Sequence, residues 1–103
     1  MKKIDRKELY NLDHTIIEWV VPRLKAFKEY SDTLPWKMTK EEWEAILDKI
    51  ILGLEAYSTE RDWDDNLSAQ ENLDLDKAYY AKNTSDFQDA MELLTKYFGN
   101  LWY

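Results

Sequence analysis

Trp19 and Arg23 stand four residues apart in the stretch DHTIIEWVVPRLKAFKEY, residues 13 to 30. On a helix that spacing brings the two side chains together, and a guanidinium held over an indole makes a cation–π pair. In steps of about 100° per residue, Ala26 and Tyr30 continue the same stripe, and Lys25 adds a cation beside it. Such a stripe can grip a protein, because Trp, Tyr and Arg carry much of the energy at interfaces. It can also stack a nucleobase and hold a phosphate. The blander alternative is an arginine stem packed along an aromatic ring with its charge in water.

The second concentration of chemistry is acidic. Between Ser58 and Asp76 lie seven carboxylates against Arg61 alone, a net −6 out of −7 for the whole chain. Asp62, Asp64 and Asp65 surround Trp63 there. Asp62, Asp64 and Asn66 match the first three ligand positions of a calcium loop. Its glycine and its closing glutamate are replaced by Leu67 and Leu73, so the EF-hand pattern fails. A solvated loop, or an acidic surface that imitates phosphate and steers a basic partner, is the expected use of that charge.

Catalysis finds less support. Glu41 and Glu44, then Glu71 and Asp74, have the E-x-x-E and E-x-x-D spacing with which all-α NTP pyrophosphatases of the MazG type hold Mg²⁺. With 21 acidic residues in the chain such a match arises easily by chance, and Glu41 suits a helix N-terminus in any case. His14 is the sole histidine, and no G-x-S-x-G context accompanies it, so a Ser-His-Asp arrangement has nothing to draw on. Neither a catalytic residue nor a metal or cofactor is assigned.

These residues need elements to hold them. Ile17, Val20, Val21, Leu24 and Phe27 form one helical stripe, with Asp13 as its expected N-cap. The stripe keeps its phase across Pro22, which predicts one helix kinked there rather than a second helix starting at the proline. In MTKEEWEAILDKIILGLEAY, Thr39 and Glu42 form a capping box, and Met38 and Trp43 occupy the positions of a hydrophobic staple. Trp43, Ile46, Leu47, Ile50, Leu54 and Tyr57 make its apolar face. Gly53 lies inside, where it lets another helix approach. Residues 58 to 83 read as a long acidic loop, with room for a short helix near LDKAYYAK. The last helix is expected from a second capping box, Ser85 and Gln88, with Phe87, Met91, Leu94, Phe98 and Leu101 as its stripe.

Composition agrees. The chain has 103 residues, two glycines, two prolines and no cysteine, which disfavours a many-turned sheet and excludes disulfides and thiol chemistry. The expected class is all-α: a single domain, a small bundle of three main helices with the acidic loop before the last. A net charge of −7 speaks against direct nucleic-acid binding, which needs a basic footprint. The sequence begins MKKIDRKELY, without the apolar run of a secretory signal, and no window is apolar enough to span a membrane. A cytoplasmic location is therefore expected. Five Trp and seven Tyr exceed what so small a core can hold, which points to association with itself or another protein.

Three blocks, DHTIIEWVVPRLKAFKE, EEWEAILDKIIL and LLTKYFGNLW, resemble a group of small bacteriophage proteins. Those share D-x-T-I-x-x-(F/W)-(I/V)-x-P-R-L-K, W-x-x-I-L-D-K and K-Y-F-x-x-L-W in the same order. The resemblance implies a phage origin and a bacterial host cytoplasm; the acidic segment from Ser58 to Asp76 has no counterpart in it. The leading expectation is a non-enzymatic protein that inhibits a host protein, in defence or nucleic-acid handling, by stoichiometric binding. The alternatives are an oligomer that sequesters a signalling nucleotide between aromatic rings and Arg23 or Lys25, and the MazG-like enzyme.

Overall fold

In the computed structural model, residues 3–102 are described, and the chain forms α1 (Leu12–Tyr30), α2 (Lys40–Ser58) and α3 (Ala69–Tyr97). Short 3-10 turns at Arg6–Leu9 and Phe98–Asn100 flank them, and no strand occurs among the described residues. The protein is an all-α helical bundle.

The helix α2 is the centre. Its start is fixed by the expected capping box: the Thr39 hydroxyl accepts the Glu42 N–H at 3.1 Å, and the Glu42 carboxylate accepts the Thr39 N–H at 3.2 Å. Trp43, Leu47, Ile50, Ile51 and Leu54 are buried along it, with Met38 half-buried just before the cap. From α1 come Ile17, Val21 and Leu24, and from α3 Phe87, Leu93 and Leu94, to complete the core. Gly53 is where α2 and α3 come closest: a Cβ there would lie 2.5 Å from the Asp86 carbonyl oxygen and closer still to the Ala90 side chain. Trp43 meets Tyr97 edge-on at 5.6 Å between centroids, so α3 runs antiparallel to α2.

The helix α1 is continuous through Pro22. Pro22 has no N–H to offer the Glu18 carbonyl, and the residue is exposed, so the gap in the ladder faces water. Its N-cap is Asn11, in the left-handed region at φ 51°, and not Asp13. Asparagine tolerates that conformation better than most residues. Asp13 is freed for another role, described below.

The largest departure from expectation is α3. It begins at Ala69, so the segment expected as a loop through residue 83 is mostly helix. Ser68 and Glu71 form its capping box, and Ser85 and Gln88 lie mid-helix. No glycine or proline occurs between Gly53 and Gly99 to stop a helix once Ser68 has started one. The expected stripe is corrected as well: Ala90 is the buried residue, Phe87 and Leu94 are half-buried, while Met91 and Phe98 face solvent. The three helices share one core, but they do not all pack closely on one another. Close helix packing is α1 on α2 and α2 on α3, with none between α1 and α3. The result is an open arrangement of 51 × 41 × 20 Å.

Candidate functional site

On α1, the Arg23 guanidinium carbon sits 4.0 Å from the Trp19 ring centroid, and one of its terminal N–H groups donates to the Trp19 carbonyl at 2.9 Å. The pair is at the surface, with Trp19 58% exposed. Tyr30 is exposed two turns further along, and Leu12 and Ile16 extend the apolar surface toward the helix start. Helical phase places Ile16, Trp19, Arg23 and Tyr30 on the side of α1 turned away from α2. The guanidinium is pinned at both its ring and its carbonyl contact, so little rotamer freedom is left to lose on binding.

Lys25 does not join this patch. It pairs with Glu55 of α2 at 3.0 Å, and Lys28 pairs with Asp48 at 2.5 Å. The Asp48 carboxylate raises the Lys28 pKa above the ordinary lysine value by holding the charged ammonium in a hydrogen bond. These two ion pairs dress the α1–α2 groove and leave the outer face of α1 to Trp19 and Arg23.

At the N-terminal end of α1, the Tyr57 hydroxyl donates to the Asp13 carboxylate. That bond, reinforced by the His14 backbone N–H, holds the Asp13 pKa below the usual carboxylate value, and it raises the Tyr57 pKa. His14 stacks obliquely on Tyr57 at 5.6 Å, and Tyr57 on Phe87 at 4.7 Å. His14 therefore belongs to an aromatic contact that ties α1 to α2 and α3.

The acidic segment between α2 and α3 is short and internally tied. Asn72, fully buried in the second turn of α3, is its hub. Its side-chain amide donates to the Asp64 carbonyl at 2.9 Å and the Ser68 carbonyl at 3.1 Å. Its side-chain oxygen accepts from the Asp64 N–H at 3.1 Å and from Arg61 at 2.7 Å. Arg61 also reaches the Asp76 carboxylate at 2.7 Å and the Asp62 carbonyl at 3.0 Å. The one cation among seven carboxylates is thus spent on closing the loop. Trp63 stays 55% exposed, with Asp62 and Asp65 exposed on either side of it and Asp64 half-buried. The Asp64 carboxylate accepts the Asn66 N–H at 2.9 Å, which uses it within the turn. Sequence reasoning missed Asn72 and the role of Arg61. The signal present was a lone arginine in an otherwise anionic run.

The pyrophosphatase quartet is not assembled within one chain. Trp43 lies level with Tyr97, and Gly53 with Asp86 and Ala90. Glu41 and Glu44 therefore sit at one end of the α2–α3 pair, and Glu71 and Asp74 lie about 35 Å away along the axis at 1.5 Å per residue. Glu71 caps α3, and Asp74 accepts from Gln70 at 3.0 Å. Among the described residues no group of three or more His, Asp or Glu is placed to hold a metal ion, and no helix is long and apolar enough to cross a membrane.

The fold and surface thus define an open all-α protein with an exposed aromatic and arginine face. Comparison with models of known protein families, with curated proteins and with solved structures finds no match.

Proposed function

We propose that this chain is a non-enzymatic binding protein of phage type that inhibits a host protein by stoichiometric capture through the outer face of α1. The observation that carries the reading is the Trp19–Arg23 pair, stacked at 4.0 Å and left in solvent. An exposed indole loses contact with water favourably when a partner covers it, and an arginine already fixed on that ring presents its remaining donors to a partner carboxylate. The exposed carboxylates at Asp62 and Asp65, in a chain of net charge −7, favour a partner with a basic surface. Proteins that handle nucleic acid, including defence nucleases, present such surfaces to phosphate. The sequestered-nucleotide alternative needs a concavity at Arg23. The main surface grooves instead run between helices and are lined by other residues, such as Lys49, Asp86 and Lys96 between α2 and α3.

The test uses the tagged chain and its Trp19→Ala/Arg23→Ala variant to capture protein from bacterial lysate, followed by titration of the purified partner. The expected result is saturation at a fixed stoichiometry, with the partner's activity lost at equivalence. The double variant, with an unchanged helical circular dichroism spectrum, binds at least about a hundredfold more weakly, since interface Trp and Arg are each commonly worth 2 kcal/mol or more. Undiminished binding by that variant removes α1 as the contact face.

A further inference from the structure

Beyond the row that meets α2, the helix α3 carries further apolar side chains, four of which stand in solvent while Phe87 and Leu94 lie half-buried at the border with the core. Leu73, Tyr80, Phe87 and Leu94 repeat every seven residues, and Met91 and Phe98 follow Phe87 and Leu94 by four. At about 100° per residue these six fall in a band roughly 60° wide, about 90° round the helix from the row that meets α2. Leu73 is 54% exposed, Tyr80 45%, Met91 40% and Phe98 69%. From Phe87 to Phe98 the spacing alternates four and three, as in the seam of a two-helix coiled coil; nearer the start of α3 the alternate positions are Lys77 and Thr84.

The molecule as a whole exposes more surface than a compact chain of its mass, on α1 and the loops as well as on α3. A compact monomer of 12.4 kDa exposes about 6,100 Å². This chain exposes 8366 Å². The excess, roughly 2,200 Å², is well above the ~800 Å² per partner that a stable dimer buries. The radius of gyration, 17.2 Å, likewise exceeds the ~13 Å of a compact domain of this length. Because Gly53 lies level with Asp86 and Ala90, α2 ends level with about residue 83 of α3, and the first three to four turns of α3 run past it. Leu73 and Tyr80 stand on that overhang with only the tied loop beside them.

We propose that a second copy of this chain docks on the seam, α3 against α3 and antiparallel, to form a homodimer. A two-fold axis crossing α3 between residues 85 and 86 brings the row onto its own copy, with Phe87 opposite Thr84 and Leu94 opposite Lys77, whose stem can lie along it. Antiparallel pairing lays the overhang of each copy along the Met91–Phe98 half of the other, Leu73 against Phe98 and Tyr80 against Met91, the last a sulfur–aromatic contact. Parallel pairing would set Asp74, Asp76 and Lys77 of one copy against the same residues of the other, like charge on like. This interface is separate from the α1 face proposed above, and either assignment can fail without the other.

Sedimentation of the full chain tests it. The expected mass is twice 12.4 kDa at micromolar concentration. Tyr80→Lys/Met91→Lys, at two exposed positions, is expected to dissociate the dimer while the helical spectrum is retained. Trp19→Ala/Arg23→Ala leaves the mass unchanged. The chain has no cysteine, so orientation is read by cross-linking. Tyr80→Cys/Met91→Cys forms a disulfide-linked dimer on mild oxidation, and Met91→Cys alone does not. A monomeric mass throughout the concentration range, whether the seam then takes another protein or stays in water, overturns the proposal. So does a dimer that the lysine variant leaves intact. Efficient cross-linking by Met91→Cys alone overturns the antiparallel arrangement.

Discussion

Asn72 shows how one buried polar side chain can set the shape of a charged segment. Every polar atom of its side chain has a partner in Arg61, Asp64 or Ser68. Alanine there leaves the Asp64 N–H and the carbonyls of the loop without their partner in a fully buried position. Asn72→Ala is expected to lower stability by about 2–4 kcal/mol, read from urea unfolding, and to speed proteolytic cutting between residues 59 and 68. The Asp13–Tyr57 bond makes a different demand, on pH. Asp13 has a folded pKa depressed below its ordinary value of 3.8, first by the Tyr57 hydroxyl and then by the His14 N–H. Its contribution to stability is present in full above that ordinary value and fades as pH falls through the lower folded one. Tyr57→Phe is therefore expected to be less stable than the parent at neutral pH, with the gap in unfolding midpoint closing as the pH drops below about 4. A gap that stays constant down to pH 2 rules out the bond as its source. The Trp19–Arg23 contact was legible in the sequence because it depends only on i and i+4 spacing along one helix. Asn72 was not, because its partners lie on the preceding loop and no local rule separates a buried asparagine from a surface one.

Between helices, the closest approach is at Gly53, and two effects of opposite sign compete there. Alanine in place of glycine favours the helix by about 1 kcal/mol. The added Cβ, however, lands on the Asp86 carbonyl and on Ala90, and backbone cannot swing aside as a flexible side chain can. Overpacking costs about 1–3 kcal/mol, and a clash with backbone belongs in the upper half of that range, so Gly53→Ala is expected to be net destabilising by roughly 1–2 kcal/mol in chemical unfolding. A stabilised Gly53→Ala would mean that α2 and α3 part easily. The close approach at Gly53 could be read from the sequence, as could α2 itself, because the Thr39–Glu42 box and a broad apolar face agree on one element. The start of α3 was misread for a physical reason. Its first turns have almost nothing to bury, and a run of carboxylates looks like loop when hydrophobic periodicity is the guide. The Ser68–Glu71 box starts it all the same, and the absence of any breaker until Gly99 carries it through. Continuity through Pro22 was legible from the phase of Ile17, Val21 and Leu24, all three of which are buried.

Pairing of two copies on α3 would make the stability of this elongated chain a function of concentration. If two copies unfold together, the equilibrium is between one dimer and two unfolded chains, and dilution favours the chains. A tenfold dilution is worth about 1.4–1.5 kcal/mol per dimer near the transition. The unfolding entropy of two such chains, at about 2.1 cal/mol/K per residue, is roughly 430 cal/mol/K. The melting temperature is therefore expected to fall by about 3–4 °C for each tenfold dilution, which differential scanning calorimetry or circular dichroism resolves readily. Tyr80→Lys/Met91→Lys should flatten that dependence, since the folded unit is then the single chain. Trp19→Ala/Arg23→Ala should leave the slope as it is, because the α1 face is not at the seam. With α1 and α3 each packed closely on α2 and not on one another, the monomer buries a thin core, to which a second copy on α3 would add. A melting temperature that stays fixed over a hundredfold range of concentration would place all of the stability in the single chain, and the exposed side of α3 would then have no part in holding the fold.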